Sequence, residues 1–224
     1  MNAHAASPLR RSTLDVFCAM LLVAVFAAIF WLAPEEQTMG PVQRIMYVHV
    51  AVAWCGLLCS IATAGAGALY LWRRTLVSDH WAQAAAEWGF LCCGLTLATG
   101  SLWAHEAWGV WWTWEPRLTS MCVLWTINCG YLLVRANLDE PHRRARVAAV
   151  IAILGALDVP LVVMATRWFR GMHPESPSME PAMLGVLALT AFGFTLFSVG
   201  IVARRRGQLE RRSLLESTEL EHSH

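Results

Sequence analysis

The 224-residue sequence contains no lysine, so all 17 of its cationic side chains are arginine. Charge is scarce in general: 15% of residues are charged and 57% are hydrophobic. Soluble domains average roughly 25% charged and 45–50% apolar residues, so this composition argues against a soluble globular protein and for a polytopic membrane protein. The seven cysteines (Cys18, Cys55, Cys59, Cys92, Cys93, Cys122, Cys129) include no C-x-x-C pair. That argues against a disulfide framework and a dithiol redox motif, and leaves thiols that act as small hydrophobes inside apolar segments. A C-x-x-C-H sequence is also missing, which excludes covalent haem attachment to this chain by that route. Without a G-x-x-x-x-G-K-[ST] loop, any nucleotide hydrolysis must come from a partner. The net charge of +1 gives no reason to expect nucleic-acid binding.

Apolar length is what the chain does have. Six segments, near 15–33, 45–72, 84–104, 118–135, 147–166 and 182–203, are long enough to cross about 30 Å of hydrocarbon as helices of about 20 residues. With no water in a bilayer core each must satisfy its own backbone, so the expected fold is all-α. Segment 45–72 exceeds one straight span, and either its first turn stands above the hydrocarbon or the helix tilts. The first segment follows Arg10 and Arg11 like a signal peptide, but its apolar run is too long and Pro34-Glu35-Glu36 is no cleavage site; it reads as a retained anchor. With a cytoplasmic N-terminus, thirteen arginines fall on the inner side and only Arg44, Arg117, Arg167 and Arg170 on the outer side. The positive-inside bias therefore puts both termini in the cytoplasm. The expected organisation is a cytoplasmic tail (1–14), one six-helix membrane domain (15–203) and a second cytoplasmic tail (204–224). The outer loops are then 34–46, 105–117 and 167–181.

The middle loop carries the densest signal. In Trp108-Gly109-Val110-Trp111-Trp112-Thr113-Trp114-Glu115-Pro116-Arg117, four tryptophans fall within seven residues. So much indole must be buried somewhere, either against a flat aromatic partner or in an interfacial belt. Two histidines fall at the same level beside this loop: His49, at the outer end of the second helix in Met46-Tyr47-Val48-His49, and His173, in the third loop after Arg167-Trp168-Phe169-Arg170. Two neutral imidazoles can ligate one haem iron axially; the competing reading is two ordinary interfacial histidines. Haem would also want indole beside its ring and guanidinium near its carboxylates, for which the four outer arginines are candidates. Zinc fits less well, because it needs three or four close ligands and only His105 and Glu106 could supplement the pair.

Other polar residues are less decisive. His105 either tunes the ligand set or is a polar residue at the water interface. His80 and His142 fall in cytoplasmic loops, and His4, His222 and His224 in the tails. Asp158 lies near the middle of a span, where carboxylates are costly. It either bonds locally, to backbone opened by Pro160 or to Asn128, or shapes the cleft above it. Ala62, Gly65, Ala66 and Gly67 form a small-residue face suited to close helix packing.

These motifs together resemble the CcmC family, the haem exporter protein C of system I cytochrome c biogenesis, among haem-handling proteins with a tryptophan-rich WWD loop. That loop typically reads W-G-x-W-W-x-W-D-x-R-L-T-S, matched here from Trp108 to Ser120. An M-Y-x-H-V stretch matches Met46 to Val50, and D-x-P-L followed by W-[WF]-R matches Asp158 to Leu161 and Trp168 to Arg170. The resemblance runs through most of the chain. Three positions depart from it: Glu115 stands for Asp, Pro116 follows it, and Ala51 replaces a proline.

The resemblance implies a multi-pass protein of the bacterial inner membrane that holds non-covalent haem b at the periplasmic face. His49 and His173 would be the axial ligands, and Trp108, Trp111, Trp112 and Trp114 the platform. Arg44, Arg117, Arg167 and Arg170 would meet the propionates, with Glu115 as a loop contact. It also implies delivery of haem to a periplasmic haem chaperone, without turnover by this chain. Implied partners are an ABC-type ATPase, its membrane subunit and a small single-span accessory protein. Two other classes stay open. One is a membrane redox enzyme passing electrons between haem and quinone, which favours a second histidine pair. The other is a bare haem permease, for which only Asp158 and Asn128 hint at a polar route.

Overall fold

A computed structural model describes residues 8–37, 39–169, 171–173 and 179–222. The described residues form seven α-helices and no strand. Helix α1 (Pro8–Ala27) ends in a π-helical turn (Ala28–Leu32), and a short 3-10 turn (Pro41–Gln43) leads into α2 (Arg44–Arg73). Then follow α3 (Leu76–Trp108), α4 (Pro116–Asn137), α5 (Pro141–Ala156), α6 (Asp158–Trp168) and α7 (Pro181–His222). Each apolar segment expected from the sequence is helical. Four stretches, Pro41–Arg73, Pro116–Asn137, Pro141–Trp168 and Pro181–Glu219, are long and apolar enough to cross a membrane, and Val16–Leu32 is a shorter apolar helix.

Local chemistry explains the breaks. Arg74 ends α2 in the left-handed conformation, φ 58°, with its N–H on the Tyr70 carbonyl at 2.7 Å. Glu140 caps α5 by accepting the His142 and Arg143 N–H groups at 2.8 and 2.5 Å. Those donors hold its carboxyl below the ordinary carboxylate range. The cap therefore stabilises α5 at neutral pH and weakens as pH falls through that lowered value. Pro160 cannot donate to the Ala156 carbonyl, and the helix is interrupted just before, at Leu157, separating α5 from α6. Residues 204–222 continue α7 as helix.

Helix α2 is the hub, packed against α3, α5 and α7. Its closest approach to α3 uses two glycines. A Cβ on Gly56 would lie 3.0 Å from Cys93 Sγ, and one on Gly89 would lie 2.9 Å from Cys59 Cβ. Of the small-residue face expected at 62–67, Gly67 packs on the Ala149 backbone of α5, where a Cβ would fall 3.1 Å from the Ala149 Cα, while Ala62 and Gly65 are exposed. The packing face instead follows Cys59, Thr63, Gly67 and Tyr70, one helical stripe of buried residues. All three tyrosines (Tyr47, Tyr70, Tyr131) are fully buried, as are Cys55, Cys92 and Cys93.

A polar ladder ties α4, α3 and α7 together at the end opposite the tryptophan loop. Arg135 donates to both carboxylate oxygens of Asp79 at 2.6 and 2.8 Å and to Gln83 at 2.6 Å. Gln83 donates to Glu87 at 2.9 Å, and Arg205 donates to Glu87 at 2.5 and 3.0 Å. The Asp79–Arg135 side chains are only 4% and 5% exposed.

Candidate functional site

At the other end, helices α2, α3, α4, α6 and α7 surround a cavity of about 380 Å³. Its size falls in the range of small-molecule sites, about 300–1,000 Å³. His49 and His173 both line it, and so do Trp108, Trp112 and Arg117. Residues separated by more than 120 positions thus meet in one space. The walls are mostly apolar: Val50, Ala53 and Leu57 of α2, Leu97 of α3, Met121 of α4 and Val162 of α6. From His49 to Leu57 the lining descends two turns of α2, about 12 Å at 1.5 Å per residue.

The tryptophan loop divides its rings between two jobs. Trp108 and Trp112 face the cavity. Trp111 and Trp114 do not line it and are 57% and 78% exposed. Trp111 stacks on His105 at 4.0 Å, and His105 bonds Glu106 at 3.2 Å, so His105 sits on the loop's outer edge rather than in the cavity. Exposed Trp31, Trp114 and Trp168 lie at this end and exposed Trp72 and Trp81 at the opposite one, a distribution that suits aromatic belts at the two interfaces of a membrane-spanning protein. The loop is pinned by Ser101, whose hydroxyl donates to the Trp111 carbonyl at 2.5 Å.

Glu115 connects the loop to the second histidine. As the residue before a proline it is extended (ψ 155°), and Pro116 occupies the first turn of α4 without wasting a donor. Its carboxylate accepts the Met172 N–H at 2.7 Å and the His173 N–H at 3.3 Å. Gly171 makes room for it, since a Cβ there would fall 2.3 Å from Glu115 Oε2. Glu115→Ala is expected to speed amide exchange at Met172 and His173 by about tenfold, the loss of about 1.4 kcal/mol for a bond to a charged acceptor. Glu115→Gln, which keeps an acceptor, should stay within a few fold; equal rates in all three proteins would show that this clamp does not hold the segment.

The arginines separate as sharply as the tryptophans. Arg117 lines the cavity, and its hydrogen bond to Thr166 Oγ1 is long, 3.4 Å. Arg44 lies elsewhere, near Glu35 at 3.7 Å and over the Phe30 ring at 5.8 Å. Arg167 is exposed and does not line the cavity, and Arg170 lies outside the described residues. Asp158 is buried at the head of α6, below the cavity lining, and its Oδ2 has no partner among the described residues. Asn128 bonds Ser60 at 3.4 Å and Cys93 at 3.9 Å rather than Asp158.

Several lining residues were not singled out by the sequence reading, notably Trp103, Gly100 and Met121. Trp103 packs edge-on to Trp108 at 4.8 Å. The indole N–H groups of Trp103 and Trp112 are buried without a partner among the described residues. Helical spacing could have flagged Gly100 and Trp103, since Gly100, Ala104 and Trp108 recur every four residues on α3 and Trp103 lies three after Gly100.

Two imidazoles, an aromatic wall, an apolar floor and one guanidinium suit a flat, apolar, metal-bearing molecule with an anionic edge. The fold and cavity thus define a helical membrane protein with a histidine-flanked aromatic cleft. The chain belongs to the Heme exporter protein C (CcmC) family, whose profile matches residues 3–219. It is 34% identical over 193 residues to Heme exporter protein C of Bradyrhizobium diazoefficiens, covering 81% of this chain and 72% of the relative. The Escherichia coli K12 protein of that name is 31% identical over 186 residues (80% and 75%). That of Paracoccus denitrificans is 32% identical over 193 residues (82% and 80%).

Proposed function

We propose that this protein binds haem as cargo in the histidine-flanked cavity and hands it to a periplasmic haem chaperone during c-type cytochrome maturation. The observation that carries the reading is the meeting of His49, His173, Trp108, Trp112 and Arg117 in one cavity lining. In this reading the imidazoles take the two axial positions of a non-covalent haem b. Trp108 and Trp112 flank the ring, and Arg117 pairs with a propionate. Arg44, Arg167, Trp111 and Trp114 act at the membrane surface around the site instead.

The membrane arrangement belongs to the same proposal. All six apolar segments span, with both termini cytoplasmic and the cavity periplasmic. The chain lies in the bacterial inner membrane as one domain (15–203), and the arginine distribution of thirteen to four supports that orientation. The partners in this reading are those the family resemblance implies: an ABC-type ATPase, its membrane subunit and a small single-span protein. Two ligands and an open aromatic wall favour stepwise release over sealed storage. Against electron transfer to quinone, His142 lies on α5 beside Tyr70 and His80 on α3 beside Asp79, and neither lines the cavity with His49 and His173.

The test is haem spectroscopy on purified protein. A low-spin bis-imidazole spectrum is expected, followed by its loss as haem moves to an added chaperone, without sustained quinone reduction. A high-spin spectrum, or catalytic quinone turnover, would overturn the reading.

A further inference from the structure

His49 does not stand alone on α2: it lies against the neighbouring α3 at Thr99-Gly100, a pair with no role in the sequence reading. Thr99 Oγ1 donates to the Leu95 carbonyl at 2.7 Å, the usual bond of a helical threonine to the preceding turn. With its single proton on that carbonyl, the oxygen presents lone pairs to His49 Nδ1, 3.1 Å away. Only the tautomer with hydrogen on Nδ1 satisfies that contact, and it leaves the lone pair on Nε2. The ring can lie there because residue 100 has no side chain. A Cβ on Gly100 would sit 2.8 Å from His49 Cε1, 3.4 Å from Nδ1 and 3.7 Å from Nε2.

We propose that Thr99 is a positioning residue for the first axial histidine: its hydroxyl fixes His49 as the Nδ1–H tautomer with Nε2 as the metal-binding nitrogen, on a flat seat provided by Gly100. The proposal deepens the haem reading and rests on it for its functional meaning. The orientation of the ring and its tautomer, however, are properties of the haem-free protein. A ligand histidine ordinarily gives its other ring N–H to an outer partner, which raises its basicity and fixes its plane. Here a half-buried threonine one helix away does so.

The test compares Thr99→Val, which keeps shape and removes the acceptor, with Thr99→Ser, which restores it. In haem-free protein with nitrogen-15-labelled histidine, His49 should show one tautomer in wild type and Thr99→Ser, and a mixture in Thr99→Val; His173 should not change. With haem, Thr99→Val should lose about 10–100-fold in affinity, the usual effect of removing an outer-shell partner, while Thr99→Ser stays within a few fold. Gly100→Ala should shift the ring and weaken haem binding without changing His173. An unchanged His49 tautomer in Thr99→Val overturns the proposal whatever haem does. An altered tautomer in protein that shows no bis-imidazole haem sustains the positioning role and overturns the haem reading instead.

Discussion

His49→Ala and His173→Ala are each expected to lower haem affinity by more than about 100-fold, beyond the roughly 10–100-fold typical of an outer-shell partner. The bis-imidazole spectrum should give way to that of a five-coordinate or water-ligated iron. The expectation follows from convergence. Both histidines line the cavity although one belongs to α2 and the other to the segment between α6 and α7. Added imidazole should partly restore the low-spin spectrum in each variant, because the space vacated by the side chain accepts it. His105→Ala should leave the spectrum intact, since His105 stacks on Trp111 outside the lining. An unchanged spectrum in either of the first two variants would sink that residue as a ligand.

Breaking the buried pair at the opposite end has the second large effect. Asp79→Ala strands the Arg135 guanidinium, which is 5% exposed and bonded to both Asp79 oxygens and to Gln83. Removing one member of such a pair costs about 3–5 kcal/mol, because the other charge stays buried without compensation. Thermal or denaturant unfolding of detergent-solubilised protein should register that loss. Replacing Asp79 and Arg135 together by Leu and Met should return most of it, since two apolar groups leave no charge to solvate. If Asp79→Ala loses less than about 1 kcal/mol, the pair behaves as a surface salt bridge reached by water. Haem binding in the double variant should persist, as the ladder and the cavity occupy opposite ends of the helices.

Much of this was legible in the residues. The six apolar segments are helical, and four stretches with the shorter Val16–Leu32 are apolar as expected, because hydropathy over about 20 residues is a local property. The helix interruption beside Pro160 and the extended Glu115 before Pro116 are likewise one-residue effects of a missing N–H and a crowded ring. The tryptophan loop was recognised as important, but not how its rings divide. Indole spacing along a loop does not reveal which rings turn inward, and Trp111 and Trp114 face outward while Trp103, from the helix before, joins Trp108 at the cavity. Arg44 looked equivalent to Arg117 by position, yet Glu35 and Phe30 hold it elsewhere. The Asp79–Arg135 pair was invisible for the same reason: its members are 56 residues apart and meet only when α3 and α4 pack.

The sequence by itself determined the all-helical architecture, the apolar segments, the concentration of arginine at one set of loops and the residue types available for a haem site. Those follow from composition and short-range pattern. Tertiary structure alone decided which of the candidates share a cavity, that Glu115 clamps the His173 segment, and that Thr99 and Gly100 seat His49. Each of these depends on side chains distant in sequence approaching within hydrogen-bond or van der Waals range. Helix packing around α2 sets those distances, and no local pattern encodes them.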